Sequence, residues 1–89
     1  MALLINEEIL NMNLRPQVVH LFLQMIHNSQ EDGTVVASQL SLMDWTQCKD
    51  KETNISYVNE LIANELIMFE GLTDRKKTYR LNKKYYFYK

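Results

Sequence analysis

A chain of 89 residues is long enough to bury one hydrophobic core and too short for two. With 46 % hydrophobic and 24 % charged residues, two Gly and one Pro, it has the balance of an ordinary folded domain and leaves no room for a disordered linker. The single cysteine, Cys48, excludes an internal disulfide, so a reducing cytoplasm is the expected compartment.

No apolar run approaches the roughly 20 residues of a membrane span, and the run over residues 1–5 lacks the basic segment and cleavage site of an export signal. The net charge of −1 hides a segregation. Residues 1–48 hold one basic residue, Arg15, against five acids, whereas residues 71–89 hold seven basic residues against one acid, Asp74. Such asymmetry is the electrostatic footprint of a polyanion binder, although a charged hairpin also serves simply to keep a domain soluble.

In chain order, Leu3, Leu4 and Ile5 followed by Ile9 and Leu10 predict a short strand and then a turn of helix. Pro16 opens the first secure helix, because its missing N–H would be unpaired at that position anyway. Val18, Val19, Leu21, Phe22, Leu23, Met25 and Ile26 make this the central core helix, ending near Asn28 ahead of the Asp32-Gly33 turn signal. Thr34, Val35 and Val36 read as a very short strand. Ser38 then caps a second helix of about two turns through Leu40, Leu42, Met43 and Trp45.

The polar stretch 46–52 reads as a loop or a frayed turn. Thr53 or Asn54 is the expected cap of a third helix with Ile55, Val58, Leu61, Ile62 and Leu66 as its buried stripe, and with Ser56, Tyr57, Asn59, Glu60 and Asn64 facing water. From Ile67 a β-hairpin follows, its basic tip at Asp74, Arg75, Lys76 and Lys77, with Thr78, Arg80 and Asn82 on the polar face and Tyr79 and Leu81 on the packed one. The tail 83–89, with Tyr85, Tyr86, Phe87 and Tyr88, is expected to extend the last strand. The fold class is therefore α+β: a winged helix-turn-helix of three helices with a small antiparallel β-sheet wing, as one domain over 1–89. It divides into an N-terminal strand and turn (1–15), a three-helix core (16–66), and a basic wing with its aromatic tail (67–89).

No catalytic arrangement is visible, so an enzyme, a cofactor and a metal are not expected. His20 and His27 share a helix face, but the tight Cys and His pairs of a structural zinc site are missing. Cys48 has no nearby histidine in sequence, and glycine-rich phosphate loops and hydrolase motifs are absent. Binding to double-stranded DNA has the better claim. Lys49 and Lys51 lead into Thr53, Asn54, Ser56 and Tyr57 as the base-facing set of a recognition helix, while Arg75, Lys76, Lys77 and Arg80 would let the wing grip phosphates or a minor groove.

Against a strong specific reader, this helix is expected to carry no Arg or Lys, so the commonest guanine contact is missing from it, and Glu60 and Glu65 would be repelled by phosphates if they faced the duplex. Asn54 or Asn59 could read adenine, although an Asn at a helix start is more often only a cap. Tyr85, Tyr86 and Tyr88 beside Lys83, Lys84 and Lys89 either stack single-stranded bases or, as is commoner, cover a core edge or a dimer contact. Residues 1–5 could pair as a strand edge with another chain.

The chain resembles the winged-helix domains of phage and plasmid replication-initiator proteins, the RepL-like group among them. The residues that carry the likeness run from Ile5-Asn6-Glu7-Glu8-Ile9-Leu10 to Leu14-Arg15-Pro16, through Leu21 and Phe22, Asn54-Ile55-Ser56, Asn59-Glu60-Leu61-Ile62 and Glu65-Leu66-Ile67. They close with Tyr79-Arg80-Leu81-Asn82-Lys83-Lys84-Tyr85-Tyr86. The resemblance implies duplex binding at an origin or operator, with residues 54–66 in the major groove; the expected role is that of a regulator or replication accessory, and a homodimer is expected if the site read is a palindrome. Arg15 departs from the pattern by standing where a Ser or Thr cap usually precedes the proline. The acidic third helix keeps open a second expectation, a winged helix turned to a protein partner through Tyr57, Asn59 and Glu60 or through the aromatic tail.

Overall fold

The computed structural model describes residues 3–88; Lys89 and the first two residues of the apolar opening run lie outside them. An opening strand, β1 (Leu3–Ile5), leads into a single 3-10 turn over Glu7–Asn11, which Asn6 starts by accepting the Glu8 N–H on its side-chain oxygen at 2.9 Å. The expected strand and turn of helix are thus both present.

Helix α1 (Pro16–His27) buries Val18, Leu21, Phe22, Met25 and Ile26. Its cap residue, Arg15, has no side-chain oxygen to offer. The Glu60 carboxylate, from the third helix, accepts the Arg15 backbone N–H instead, at 3.1 Å. This is the part that a glutamate plays inside a capping box, supplied here across the fold. The first turn of α1 still has no side-chain acceptor from its cap residue; the contact ties the start of α1 to α3 instead.

After α1 the chain turns at Gly33, whose φ of 85° is a conformation natural to glycine and whose added Cβ would sit 2.9 Å from Lys83 Cε. Asp32 holds the same turn by accepting both the Thr34 N–H (3.0 Å) and its hydroxyl (2.6 Å). Those bonds, chiefly the hydroxyl's, hold the Asp32 carboxyl below its ordinary range.

Strand β2 (Thr34–Ala37) points Val35 and Ala37 into the core, and Ser38 caps α2 (Gln39–Thr46) in a reciprocal box with Ser41. Helix α2 has no fully buried residue; Leu42 and Trp45 pack on the core from its inner side.

Residues 47–50 connect to α3 (Lys51–Ala63), which starts three or four residues earlier than a cap at Thr53 or Asn54 predicts. Asp50 is the cap, accepting the Glu52 N–H at 3.2 Å, and Thr53 donates its hydroxyl to the same carboxylate at 2.6 Å. Neither Thr53 nor Asn54 caps the helix. An Asp followed by an acid in the first turn was the signal available for this.

The buried stripe is also rotated from the expected one: Asn54, Tyr57, Val58 and Leu61 point inward, while Ile55 and Ile62 stand 41 % and 37 % exposed. Polar contacts inside the fold explain the rotation. Asn54, 1 % exposed, donates to the Cys48 carbonyl (2.9 Å) and accepts from the Thr46 hydroxyl (2.7 Å). Its burial therefore leaves no unpaired group.

Strands β3 (Ile67–Thr73) and β4 (Lys76–Leu81) form the hairpin, and β2 adds to its far side, giving a three-stranded antiparallel sheet in the order β2-β4-β3. Tyr79 pairs with Val35 on one side and Phe69 on the other, and Leu81 with Ile67, so one face of the sheet closes the core. Glu70 is the extra residue of a bulge between Phe69 and Gly71.

The tail does not prolong β4. Asn82 breaks the strand, accepting the Lys84 N–H on its side chain (3.0 Å) and donating to the Glu65 carbonyl (2.8 Å). The reversed chain then forms β5 (Tyr86–Tyr88), antiparallel to β1. The opening strand therefore meets the chain's own last strand. Tyr85 and Tyr86 are buried, Tyr86 edge-on to Phe22 with centroids 6.2 Å apart, so these two tyrosines cover the core. The protein is a small α+β domain of three helices with antiparallel strands.

Candidate functional site

Between α3 and the hairpin runs a groove whose walls are set by the elements just described. Lys51, Ile55, Asn59 and Ile62 come from α3, Phe69 from β3, Arg75 from the hairpin turn and Lys77 and Tyr79 from β4, with Ser38, Gln39 and Leu42 at the start of α2 closing one end. Three cations and no carboxylate line it.

The α3 residues are spaced by four, four and three positions, which places them in one stripe along the helix. Lys77 and Tyr79 share a strand face because side chains alternate. Burial pushes the Tyr79 phenol up, so it stays neutral beneath the cations.

The hairpin tip is a two-residue turn, Asp74-Arg75, with φ of 51° and 66°. Positive φ at both central residues is the type I′ geometry that suits a twisted hairpin, and its second position favours glycine. Arg75 holds that position at a conformational cost of roughly 1–2 kcal/mol.

Of the residues singled out in the sequence, the groove brings together Lys51, Arg75 and Lys77. Asn54 lies beneath it, with its carboxamide spent inside the protein. Lys49 is exposed on the connecting loop and Lys76 on the opposite face of β4. Thr53 is bound to Asp50.

Ser56 and Tyr57 look the other way, toward the start of α1. The Arg15 guanidinium sits over the Tyr57 ring at 4.8 Å, pairs with Glu60 at 2.8 Å and reaches the Ser56 hydroxyl at 3.3 Å. This cluster removes Glu60 from the groove, while Glu65 lies beyond the end of α3 and also outside it. Arg80 stands on the outer face of the hairpin, ion-paired with Glu70 and donating to the Asp32 carbonyl at 3.1 Å. The Glu70 hydrogen bond and charge make its guanidinium still harder to deprotonate.

The sequence reading missed Ile55, Ile62, Phe69 and Gln39 as groove residues. Periodicity places the two isoleucines in the core, because it cannot tell a core stripe from one displaced by a buried Asn.

Among the described residues no group of three or more His, Cys, Asp or Glu is placed to hold a metal ion, and no helix is long and apolar enough to cross a membrane. No family model matches the chain, and no curated protein or solved structure is detectably similar to it.

Proposed function

We propose that this protein is a winged helix-turn-helix domain that binds double-stranded DNA, as a regulator or replication accessory. In this reading α2 and α3 form the helix-turn-helix, α3 enters the major groove and the β3-β4 hairpin is the wing. The observation that carries it is the acid-free groove in which Lys51, Arg75 and Lys77 converge from helix and hairpin onto one concave surface. Cations drawn from two separate elements onto one surface suit a ligand that presents a row of phosphates. The order of helices and strands is compatible with that architecture.

Fluorescence anisotropy with a mixed-sequence duplex at two salt concentrations tests the proposal. The wild-type chain binds at low salt with an affinity that falls steeply as salt rises. Replacing Lys51, Arg75 and Lys77 with Ala lowers the salt slope by about three, near one per phosphate contact. Absence of binding at low salt, or binding indifferent to those three residues, overturns it.

One observation favours a second reading, a protein partner: Ile55, Ile62 and Phe69 give the groove an apolar floor. In that case the duplex fails to bind, and the groove instead takes an acidic amphipathic helix.

A further inference from the structure

We infer that the helix face in the groove reads adenine·thymine pairs, with Asn59 as the base-contacting residue and Ile55 and Ile62 as thymine-methyl contacts on either side of it. The inference rests on the DNA-binding reading above and adds the class of sequence that the site prefers.

Its ground is the contrast among the asparagines of one helix. Asn54 is buried and spent on Thr46 and Cys48, and Asn64, at the C-terminal cap, donates to the Glu60 carbonyl at 2.9 Å. Asn59 is exposed, lines the groove and makes no side-chain hydrogen bond among the described residues. A free carboxamide presents one acceptor and one donor side by side, the complement of the adenine N6 donor and N7 acceptor. Guanine offers two acceptors at the same edge and is matched by only half of it.

The neighbours along the stripe narrow the choice further. Ile55 and Ile62, four positions before and three after Asn59, are 41 % and 37 % exposed and stand on the same face. An aliphatic side chain in a major groove gains from the thymine C5-methyl and leaves a guanine or cytosine edge unsatisfied. The only charged side chain that α3 gives to the groove is Lys51 at its first turn, and no carboxylate is present to accept from the cytosine amino group. The stripe thus has partners for adenine and thymine and few for guanine and cytosine.

The test compares duplexes of equal length, A·T-rich and G·C-rich, by anisotropy at one salt concentration. The A·T-rich duplex is expected to bind about tenfold tighter, the discrimination ordinarily carried by a bidentate base contact. Asn59→Ala should cut that preference to the few fold left by the thymine-methyl contacts while leaving the salt slope unchanged, because a base contact neutralises no phosphate. Replacing thymine by deoxyuracil, which deletes only the methyl group, should weaken the wild type severalfold and affect the double variant Ile55→Ala, Ile62→Ala much less.

Binding to neither duplex would end the DNA-binding reading itself. Equal binding to both would leave that reading standing and end this inference. A preference for A·T that survives Asn59→Ala and the uracil duplex would also overturn it, since it would come from the narrow minor groove of A-tracts read by the hairpin.

Discussion

The two flanks of α3 use similar side chains to opposite ends. On the flank toward α1, Ser56, Tyr57 and Glu60 are all engaged by Arg15, and Asn54 is closed off by Thr46 and Cys48. On the flank toward the hairpin, Lys51, Ile55, Asn59 and Ile62 are exposed and face a groove without acids. The hairpin repeats the division: Arg80 is paired on the outer face, while Lys77 and Arg75 stand over the groove. A side chain's availability for a ligand is therefore set by what the rest of the fold asks of it. The α1 flank ties α3 to α1, and the groove flank is left exposed.

Four changes would break or sharpen this division. The largest effect belongs to Asn54→Ala, which leaves the part-buried Cys48 carbonyl without its donor and opens a space at a fully buried position, while the Thr46 hydroxyl keeps the Leu42 carbonyl as its acceptor. It should cost about 1–3 kcal/mol of unfolding free energy in a denaturant titration while leaving duplex affinity unchanged below the melting transition. A variant of undiminished stability that had lost DNA binding would return Asn54 to the ligand.

Next in size, Arg75→Ala combined with Lys77→Ala should weaken low-salt binding about tenfold and lower the salt slope by about two. Arg80→Ala should change affinity less than twofold and lower the melting temperature instead. Equal binding losses in the two variants would erase the distinction between the faces of the hairpin.

Arg75→Gly comes third and sets stability against binding at one position. Glycine adopts a φ of 66° freely, so thermal unfolding should show a gain of up to about 1 kcal/mol together with a loss of a few fold in affinity. A loss of stability would mean that the Arg75 side chain supports the fold rather than a ligand.

The smallest effect concerns acid. The folded Asp32 carboxyl is held below its ordinary range, so it stabilises the protein above its unfolded pKa, and that contribution is lost as pH falls through the folded value. In Thr34→Val, which removes the hydroxyl donor, the decline in stability below about pH 4 should be shallower than in the wild type, with duplex affinity at neutral pH unmoved. An unchanged acid limb would remove this turn from the groups that set it.

Local signals made much of the fold legible. Pro16 at the start of α1, Ser38 at the cap of α2, the alternation from Thr78 to Leu81 and the Asp32-Gly33 turn each act within a few residues, and each element formed where they place it. The site was less legible. Its three cations, Lys51, Arg75 and Lys77, could be named from charge and hairpin position, but the rotation of α3 could not. The periodicity of Ile55, Val58, Leu61 and Ile62 suits two helix orientations about equally, and the choice fell to Asn54, Thr46 and Arg15, residues from three different elements. The tail was misplaced for a related reason: Asn82 turns the chain through bonds to Glu65 and Lys84, one of them seventeen residues away.

The sequence by itself determined the order of elements as far as β4, the apolar identity of α1 and the gathering of positive charge toward the C-terminal end, because helix periodicity, capping and turn chemistry are short-range. Tertiary structure alone decided which polar side chains remain free. Arg15 draws Glu60 away from the groove across 45 residues of chain, and Glu70 neutralises Arg80 across a bulged hairpin. Hydrogen bonds and ion pairs between distant residues are satisfied only once helices and strands have met, so the availability of a charge or a carboxamide is a property of the packed molecule.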